Sequence, residues 1–128
     1  MIRELKFRSW DGRYFSYLDL RTDDDMEFRH FYSNIDIDSP IEQYTGLKDE
    51  NGKEIYEGDI VRHGKTILEI KFDEIKDSDF TYYYLGWIME CDTYTDSLCE
   101  YNNAVEVIGN IHENPGLLGG KNEKTQRK

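Results

Sequence analysis

Cysteine and proline are both scarce in this chain of 128 residues, which contains two of each. Seven residues separate Cys91 from Cys99, a spacing found neither in CxxC redox motifs nor in zinc ribbons. We therefore expect a reducing cytoplasm and no disulfide framework. Long apolar runs are also lacking, since no window approaches the ~18 apolar residues of a spanning helix. The first seven residues carry alternating charges and no apolar signal-peptide core, so we expect neither secretion nor insertion into a membrane.

Basic residues are outnumbered by acidic ones, with 16 Lys and Arg against 27 Asp and Glu, which gives a net charge of −11 and a pI near 4.6. Such a chain repels nucleic-acid phosphates and anionic lipids. Direct binding to nucleic acid is therefore disfavoured, and no membrane partner is expected. The last ten residues hold four bases and one acid, which leaves residues 1–118 with a charge of −14.

A disordered acidic polymer is excluded by the aromatic content, because 14% of the residues are Phe, Tyr or Trp. A chain of this length can bury one sizeable core but not several. We predict a single compact domain over residues 1–118, with sub-domains of roughly 1–45 and 46–118. Residues 119–128 are predicted to be a disordered basic tail.

Apolar and polar residues alternate in short runs separated by turn residues, which predicts a mainly β fold. Asp11-Gly12 predicts a two-residue hairpin turn, and Asn51-Gly52 predicts a second tight turn of the primed type. Within 92–103, apolar residues four and three apart predict at most one short helix or turn. Strands are predicted at 5–10, 14–20, 26–32, 41–45, 54–56, 60–61, 67–72, 82–89 and 104–111, with 82–89 a central strand.

Three segments together resemble the YopX family, small proteins encoded by bacteriophages and prophages. Residues 2–11, IRELKFRSWD, are similar to the opening strand of the family, with its basic, aromatic and Trp-Asp positions. Residues 43–61 carry the strongest likeness, QYTGLKD followed by NGKEIYEGDIV, and residues 106–115, EVIGNIHENP, are close to the terminal motif. The segments occur in the order expected of the family.

The resemblance implies an N-terminal β portion packed on a C-terminal SH3-like barrel, self-association into a homo-oligomer, and a place in the cytoplasm of a bacterial host cell. It implies no catalytic residues for this chain. The sequence departs from the family pattern at residues 21–39 and 73–103. We expect any binding specificity to lie in these variable segments, because loops on a rigid scaffold are where binding groups vary.

The motif residues have a structural interpretation. Glycines supply backbone freedom at turns, Asp and Asn side chains bond turn backbones, and Tyr and Trp bury their rings with a polar edge toward a partner. We expect these residues to determine the fold and not to form a site. They are Trp10, Tyr44, Gly46, Asp49, Asn51, Gly52, Tyr56, Gly58, Asp59, Gly109, Asn110 and Asn114.

Metal ligands and catalytic motifs are not indicated. The acids at 23–25, Asp36 and Asp38 lack the spacing, central Gly and final Glu of an EF-hand, and the histidines at 30, 63 and 112 stand alone. The sequence has no GxSxG elbow, no phosphate-binding glycine loop and no histidine close to a cysteine. We expect no metal, no cofactor and no enzymatic activity.

Residues 82–87 contain Tyr82-Tyr83-Tyr84 and Trp87, which in a basic groove would stack nucleic-acid bases. Acids outnumber bases around them, so a core or interface strand is favoured. We predict a phage or prophage accessory protein, an oligomeric scaffold that binds an unidentified host or phage protein. Two alternatives stay open: an acidic decoy that mimics DNA phosphates and occupies a DNA-processing enzyme, and an SH3-like module that binds nucleic acid weakly through the basic tail.

Overall fold

A computed structural model describes residues 4–20, 31, 39–76 and 83–118 of the chain. In this part nine strands form two antiparallel sheets, and no helix has both the length and the apolar character that crossing a bilayer requires. The strands are β1 (Lys6–Trp10), β2 (Phe15–Asp19), β3 (Ile41–Lys48), β4 (Glu54–Tyr56), β5 (Asp59–His63), β6 (Thr66–Lys76), β7 (Tyr83–Glu90), β8 (Thr95–Ser97) and β9 (Glu106–Asn110).

The first sheet has the strand order β2-β1-β3-β4. Its β1–β2 hairpin is confirmed, but Trp10 faces Phe15 across a loop of four residues, so the predicted two-residue turn is wrong in length. The reason is Asp11, whose Oδ1 accepts hydrogen bonds from the N–H groups of Arg13 and Tyr14, both at 2.8 Å. A carboxylate that bonds two successive amides stabilises a wider loop than a primed turn.

The turn predicted at Asn51-Gly52 is also wider than expected. Lys48 pairs with Glu54, so five residues, 49–53, join β3 to β4. The carboxylate of Asp49 accepts hydrogen bonds from two backbone amides of this loop, and the loop forms around that side chain.

The second sheet has the order β8-β7-β6-β5-β9, with β5 to β8 following one another and β9 returning to the far side of β5. The interior position predicted for β7 is confirmed, although only its residues 88–90 pair with β8. Because β5 pairs with residues 66–69 of β6 alone, the β6–β7 hairpin extends beyond the other strands of the sheet.

Short helical structure is present near 92–103, but as two single 3-10 turns, Leu98–Glu100 and Asn102–Ala104, where at most one short helix was predicted. β8, which precedes them, was not predicted, because its sequence Thr-Asp-Ser carries no apolar alternation. Leu98 is fully buried and fixes the first turn to the second sheet.

The core lies on one face of the second sheet, together with residues from β4 and the first 3-10 turn. The alternation along β6 places Leu68 and Ile70 on the same face. Burying one such side chain contributes about 1.5–3 kcal/mol, so these residues account for much of the favourable folding energy. The buried cluster consists of Ile55, Val61, Leu68, Ile70, Met89, Leu98 and Val105.

The mainly β class is confirmed, as is the packing of an N-terminal sheet beside a C-terminal one. Within the described residues β8 and β9 end the second sheet without pairing to each other, so no closed barrel is present there. The chain passes from the first sheet to the second between Tyr56 and Asp59. The predicted sub-domains 1–45 and 46–118 stay a prediction. The basic tail, 119–128, and the predicted strand 26–32 apart from Phe31 lie outside the described residues.

Candidate functional site

A cleft of about 570 Å³ opens between the two sheets. β1 and β2 provide one wall, β4 provides a second, and β9 with the turn that follows it provides a third. The residues at its floor are Arg8, Tyr56, Asp59 and Asn110, which are all at least nine-tenths buried. Phe15, Tyr17, Lys53, Glu54, Glu113 and Asn114 line its walls and rim.

Arg8 is the charged centre of the cleft floor and is only 4% exposed. Its Nε donates to Glu42 Oε1 at 2.8 Å, and its Nη2 donates to Asp59 Oδ1 at 3.0 Å and to the carbonyl of Glu57 at 3.2 Å. Burial alone would lower the pKa of Arg8, but the attraction of Asp59 and the bond to Glu42 outweigh it and raise that pKa. The network joins β1, β3 and β5, and therefore connects the two sheets.

Asp59 is held on its other side by backbone. Its Oδ2 accepts the N–H of Tyr56 at 2.8 Å, which fixes the turn between β4 and β5. Burial raises the pKa of Asp59, and the neighbouring Arg8 opposes that rise without cancelling it. The carboxylate is thus a structural group whose charge is tolerated because Arg8 lies beside it.

Aromatic rings surround the Arg8 guanidinium. Its central carbon lies 4.2 Å from the ring centroid of Phe15 and 4.8 Å from that of Tyr56, distances typical of cation–π contacts. Tyr17 lies edge-on to Tyr56 at 5.9 Å. Burial is the main cause that raises the pKa of Tyr56, so its hydroxyl stays protonated at neutral pH.

His112 connects the turn after β9 to the first sheet. Its Nε2 lies 2.8 Å from Glu42 Oε2, and its ring stacks on Trp10 with centroids 5.7 Å apart. Gly58 lies on the same carboxylate: a Cβ built on it would lie 2.4 Å from Glu42 Oε2, and its φ is +87°. The Glu42 carboxylate therefore contacts both Arg8 and His112, and the backbone of Gly58 lies close to it.

Asp49 forms a second junction between the sheets. Its Oδ1 accepts the N–H groups of Asn51 and Lys53 at 2.8 and 2.9 Å, and its Oδ2 accepts the N–H of Val107 in β9 at 2.8 Å. Burial acts to raise the pKa of Asp49, but these three amides outweigh it and hold the pKa below its usual range. One carboxylate thus closes the loop 49–53 and docks it on an edge strand.

The turn that follows β9 is organised by two asparagines. Asn110 Oδ1 accepts the N–H groups of His112 and Glu113 at 3.0 and 2.9 Å. Asn114 Oδ1 accepts the N–H of Asn110 at 3.2 Å. Gly109 lies in β9 and not in a turn as predicted. A glycine is needed there for space, since a Cβ would lie 2.6 Å from Asn114 Oδ1. This turn places Glu113 and Asn114 at the cleft.

Most of the motif residues meet around the cleft. Tyr56, Asp59, Gly109, Asn110 and Asn114 line it. Trp10 and Gly58 lie next to the cleft, where Trp10 contacts His112 and Gly58 lies close to Glu42. The loop that contains Asp49, Asn51 and Gly52 is bonded to β9. Tyr44 packs on Tyr56, with ring centroids 5.5 Å apart. Gly46 does not line the cleft but lies in β3, within its irregular pairing with β4.

Several residues of the site carried no signal that a single sequence exposes. Arg8 and Glu42 lie in alternating strands where a solvated charge is the ordinary expectation, and Tyr17 and Glu113 belong to common residue types. Only a pairing of β1 with β3 would have brought Arg8 opposite Glu42. His112, expected to be isolated, contacts Glu42.

A second feature is the part of the β6–β7 hairpin that extends beyond the sheet, residues 72–76 with 83–87, here called the ribbon. One face of the ribbon carries Phe72 opposite Trp87, Glu74 opposite Leu85 and Lys76 opposite Tyr83. Phe72, Tyr83 and Leu85 are 53%, 57% and 56% exposed. The ribbon lies within the variable segment 73–103 and its border.

No group of three or more His, Cys, Asp or Glu residues within the described ranges is arranged to hold a metal. The acidic stretch 23–25, Asp36, Asp38 and His30 lie outside those ranges, as does Tyr82.

Comparison with known proteins identifies one family. Residues 6–119 match the family described as YopX protein. No curated protein matches the sequence. Among the solved structures that match is protein EF1440 from Enterococcus faecalis, with 24% identity, a TM-score of 0.50, and coverage of 89% of this chain and 97% of that one. At this identity the likeness supports the fold alone.

Proposed function

Because the chain belongs to the YopX family, we propose that it is a non-enzymatic accessory protein of a phage or prophage, a scaffold that assembles into oligomers and binds other proteins. The observation that carries the proposal is the apolar face of the ribbon. Three large side chains there, Phe72, Tyr83 and Leu85, are each more than half exposed. Contiguous exposed aromatic and aliphatic groups are characteristic of protein interfaces.

The occupant of this face is a second copy of the chain. Residues 1–118 carry −14 in total, so two copies repel each other over most of their surface. On the ribbon face the two charged side chains, Glu74 and Lys76, form an ion pair at 3.4 Å. The face is therefore neutral, and it offers apolar contact where like charges do not oppose it.

The order of the ribbon supports its use as a rigid surface. Phe72 packs edge-on to Trp87 with ring centroids 5.1 Å apart. On the other face the ring of Tyr84 covers Gly86, and its hydroxyl donates to the carbonyl of Trp87 at 3.3 Å. Phe72, Trp87 and Tyr84 therefore have less side-chain freedom to lose on association, which lowers the entropic cost of binding.

The finer architecture is part of the proposal. We infer that the second sheet is an SH3-like module, since four strands follow in chain order and the fifth returns to pair with the first. The absence of enzymatic activity is supported by the cleft, where the described lining includes no serine, cysteine or histidine. The described lining thus includes neither the serine or cysteine nucleophile nor the histidine base of a hydrolase triad.

The oligomer test is light scattering on the eluting protein at 0.1 and 1 M NaCl, over micromolar concentrations. We expect a discrete oligomer at both salts, because apolar burial is not screened. Leu85→Lys should yield smaller species. Ile41→Lys is the matched control, since Ile41 is 53% exposed but lies on β3.

A monomer at micromolar concentration would overturn the self-assembly. Assembly that disappears at 1 M NaCl, or that both lysine variants abolish equally, would overturn the assignment to the ribbon. Partner binding is then tested with the assembled protein as bait in lysate of phage-infected cells. The scaffold requires the same partner at both salts, and a DNA-processing enzyme retained only at low salt would favour the acidic decoy.

A further inference from the structure

We propose that the cleft between the sheets binds a cationic side chain, arginine or lysine, from a protein partner. This inference rests on the proposed function as a protein-binding scaffold and names the chemistry of what is bound. It concerns a surface distinct from the ribbon, because the cleft is built from β1, β2, β4, β5 and β9, whereas the ribbon belongs to β6 and β7.

The cleft contains a hydroxyl group that a ligand can reach. It belongs to Tyr56, which lines the cleft and is 6% exposed as a residue. The hydroxyl makes no hydrogen bond within the described part of the chain, and the described atoms do not fully enclose it. The phenol oxygen can accept a hydrogen bond from an N–H group that enters the cleft, and arginine and lysine offer such groups in excess.

The charges of the cleft favour a cation over an anion. Arg8 is already in contact with two carboxylates, Glu42 and Asp59, so it presents no net positive charge to an incoming group. Glu54 is paired with Lys6. Glu113 receives a hydrogen bond from the Asn110 side-chain amide at 2.8 Å but has no ion pair within the described residues. Glu113 is therefore the carboxylate available to a ligand.

The walls suit a flat or extended cation. Tyr17 is 54% exposed and lies beside Tyr56 at the cleft. Within the same site the guanidinium of Arg8 already packs against Phe15 and Tyr56, which shows that these walls accommodate that group. A second cation over the Tyr17 ring would gain a cation–π contact and lie within the negative field of the whole domain.

One residue of the rim opposes the proposed ligand and supplies a test of sign. Lys53 is exposed at the cleft, and its ammonium group forms no ion pair with the described residues. It would repel a cation and attract an anion. Removing its charge should therefore tighten the binding of a cation, whereas removing the charge of Glu113 should weaken it.

The experiment titrates the full-length protein with N-acetyl-arginine amide and follows backbone amide shifts by NMR. N-acetyl-citrulline amide, which is nearly isosteric and neutral, is the control ligand. We expect saturable shifts at residues 107–114 and weaker binding of the citrulline compound. Glu113→Gln should weaken the arginine compound by roughly threefold to tenfold, the effect of losing a partly exposed charge-assisted bond, and Lys53→Gln should tighten it about twofold to threefold.

Equal affinity for the two ligands would overturn the inference, as would shifts located away from the cleft. Tighter binding of N-acetyl-aspartate amide, lost in Lys53→Gln, would show an anion site instead. Neither variant alters the ribbon, so the oligomer remains as the separate test of the proposed function.

Discussion

Replacing Asp49 should cost the protein more stability than its position in a surface loop suggests. Its carboxylate accepts three backbone amides, two from its own loop and one from Val107 of β9. Asp49 is only 4% exposed, so water reaches its carboxylate poorly. Asp49→Ala leaves three amide donors that have no other acceptor in place.

The magnitude follows from those three bonds. A hydrogen bond to a charged group contributes about 1.5–3 kcal/mol net, and the loop can rearrange to let water reach some of the freed amides. We expect Asp49→Ala to lower the free energy of unfolding by about 3–5 kcal/mol. Asp49→Asn should cost about 2–3 kcal/mol, because its amide nitrogen must face either Val107 or the loop donors, and each orientation sets donor against donor.

The assay is urea unfolding followed by tryptophan fluorescence, with Asp92→Asn as the exposed control, expected to change stability by less than about 0.5 kcal/mol. The pKa of Asp49 lies below its usual range in the folded protein. Its contribution is therefore complete above the unfolded pKa of about 3.9 and is lost as the pH falls through the folded pKa. The gap between wild type and Asp49→Asn should narrow in acid. A cost for Asp49→Ala under about 1 kcal/mol, or a gap that widens in acid, would refute the reasoning.

Two further changes test the sheet junction in the same assay. Gly58→Ala should lower the free energy of unfolding by about 2–4 kcal/mol, since a Cβ at φ +87° would overlap Glu42. Gly64→Ala, which has open space around it, should lower it by about 1 kcal/mol. Equal losses in the two variants would contradict the overlap at Gly58. Arg8→Met should lower the free energy of unfolding by about 3–5 kcal/mol at pH 7, because it leaves two buried carboxylates without their cationic partner. Since the pKa of Asp59 is already raised by burial, that loss should shrink as the pH falls and Asp59 takes up a proton; a loss that grows in acid would show that the carboxylates are not the cause.

The fold was predictable where local pattern and tertiary structure agree. The alternation in β3, β6 and β7 is strong enough to place each strand, and the β1–β2 hairpin follows from its turn residues. Turn lengths were not predictable, because Asp11 and Asp49 each gather several backbone amides and widen the loops that they begin. β8 was not predicted because its sequence has no strand pattern, and only its pairing with β7, where Ser97 lies opposite Ile88, makes it a strand.

The cleft was predictable only in outline. The motif segments contain much of its lining, yet their spacing does not show which side chains meet, since Arg8 and Asp59 lie 51 positions apart in the sequence. The contact between His112 and Glu42 spans 70 residues. Such pairs are fixed by the strand order of both sheets. A sequence taken alone gives strand positions far better than strand order.

The distribution of acid along the described surface bears on both proposals. Basic residues are interleaved with the acids in ion pairs, Lys6 with Glu54, Arg62 with Glu106 and Lys71 with Glu90, and they divide the negative field into patches. Interleaved bases weaken the negative potential that a phosphate mimic would present to a basic cleft. Acids still outnumber bases on each copy, so two copies repel each other. These charges agree with the two proposals, in which association uses the neutral ribbon and a cationic ligand uses the cleft that Glu113 lines together with aromatic rings.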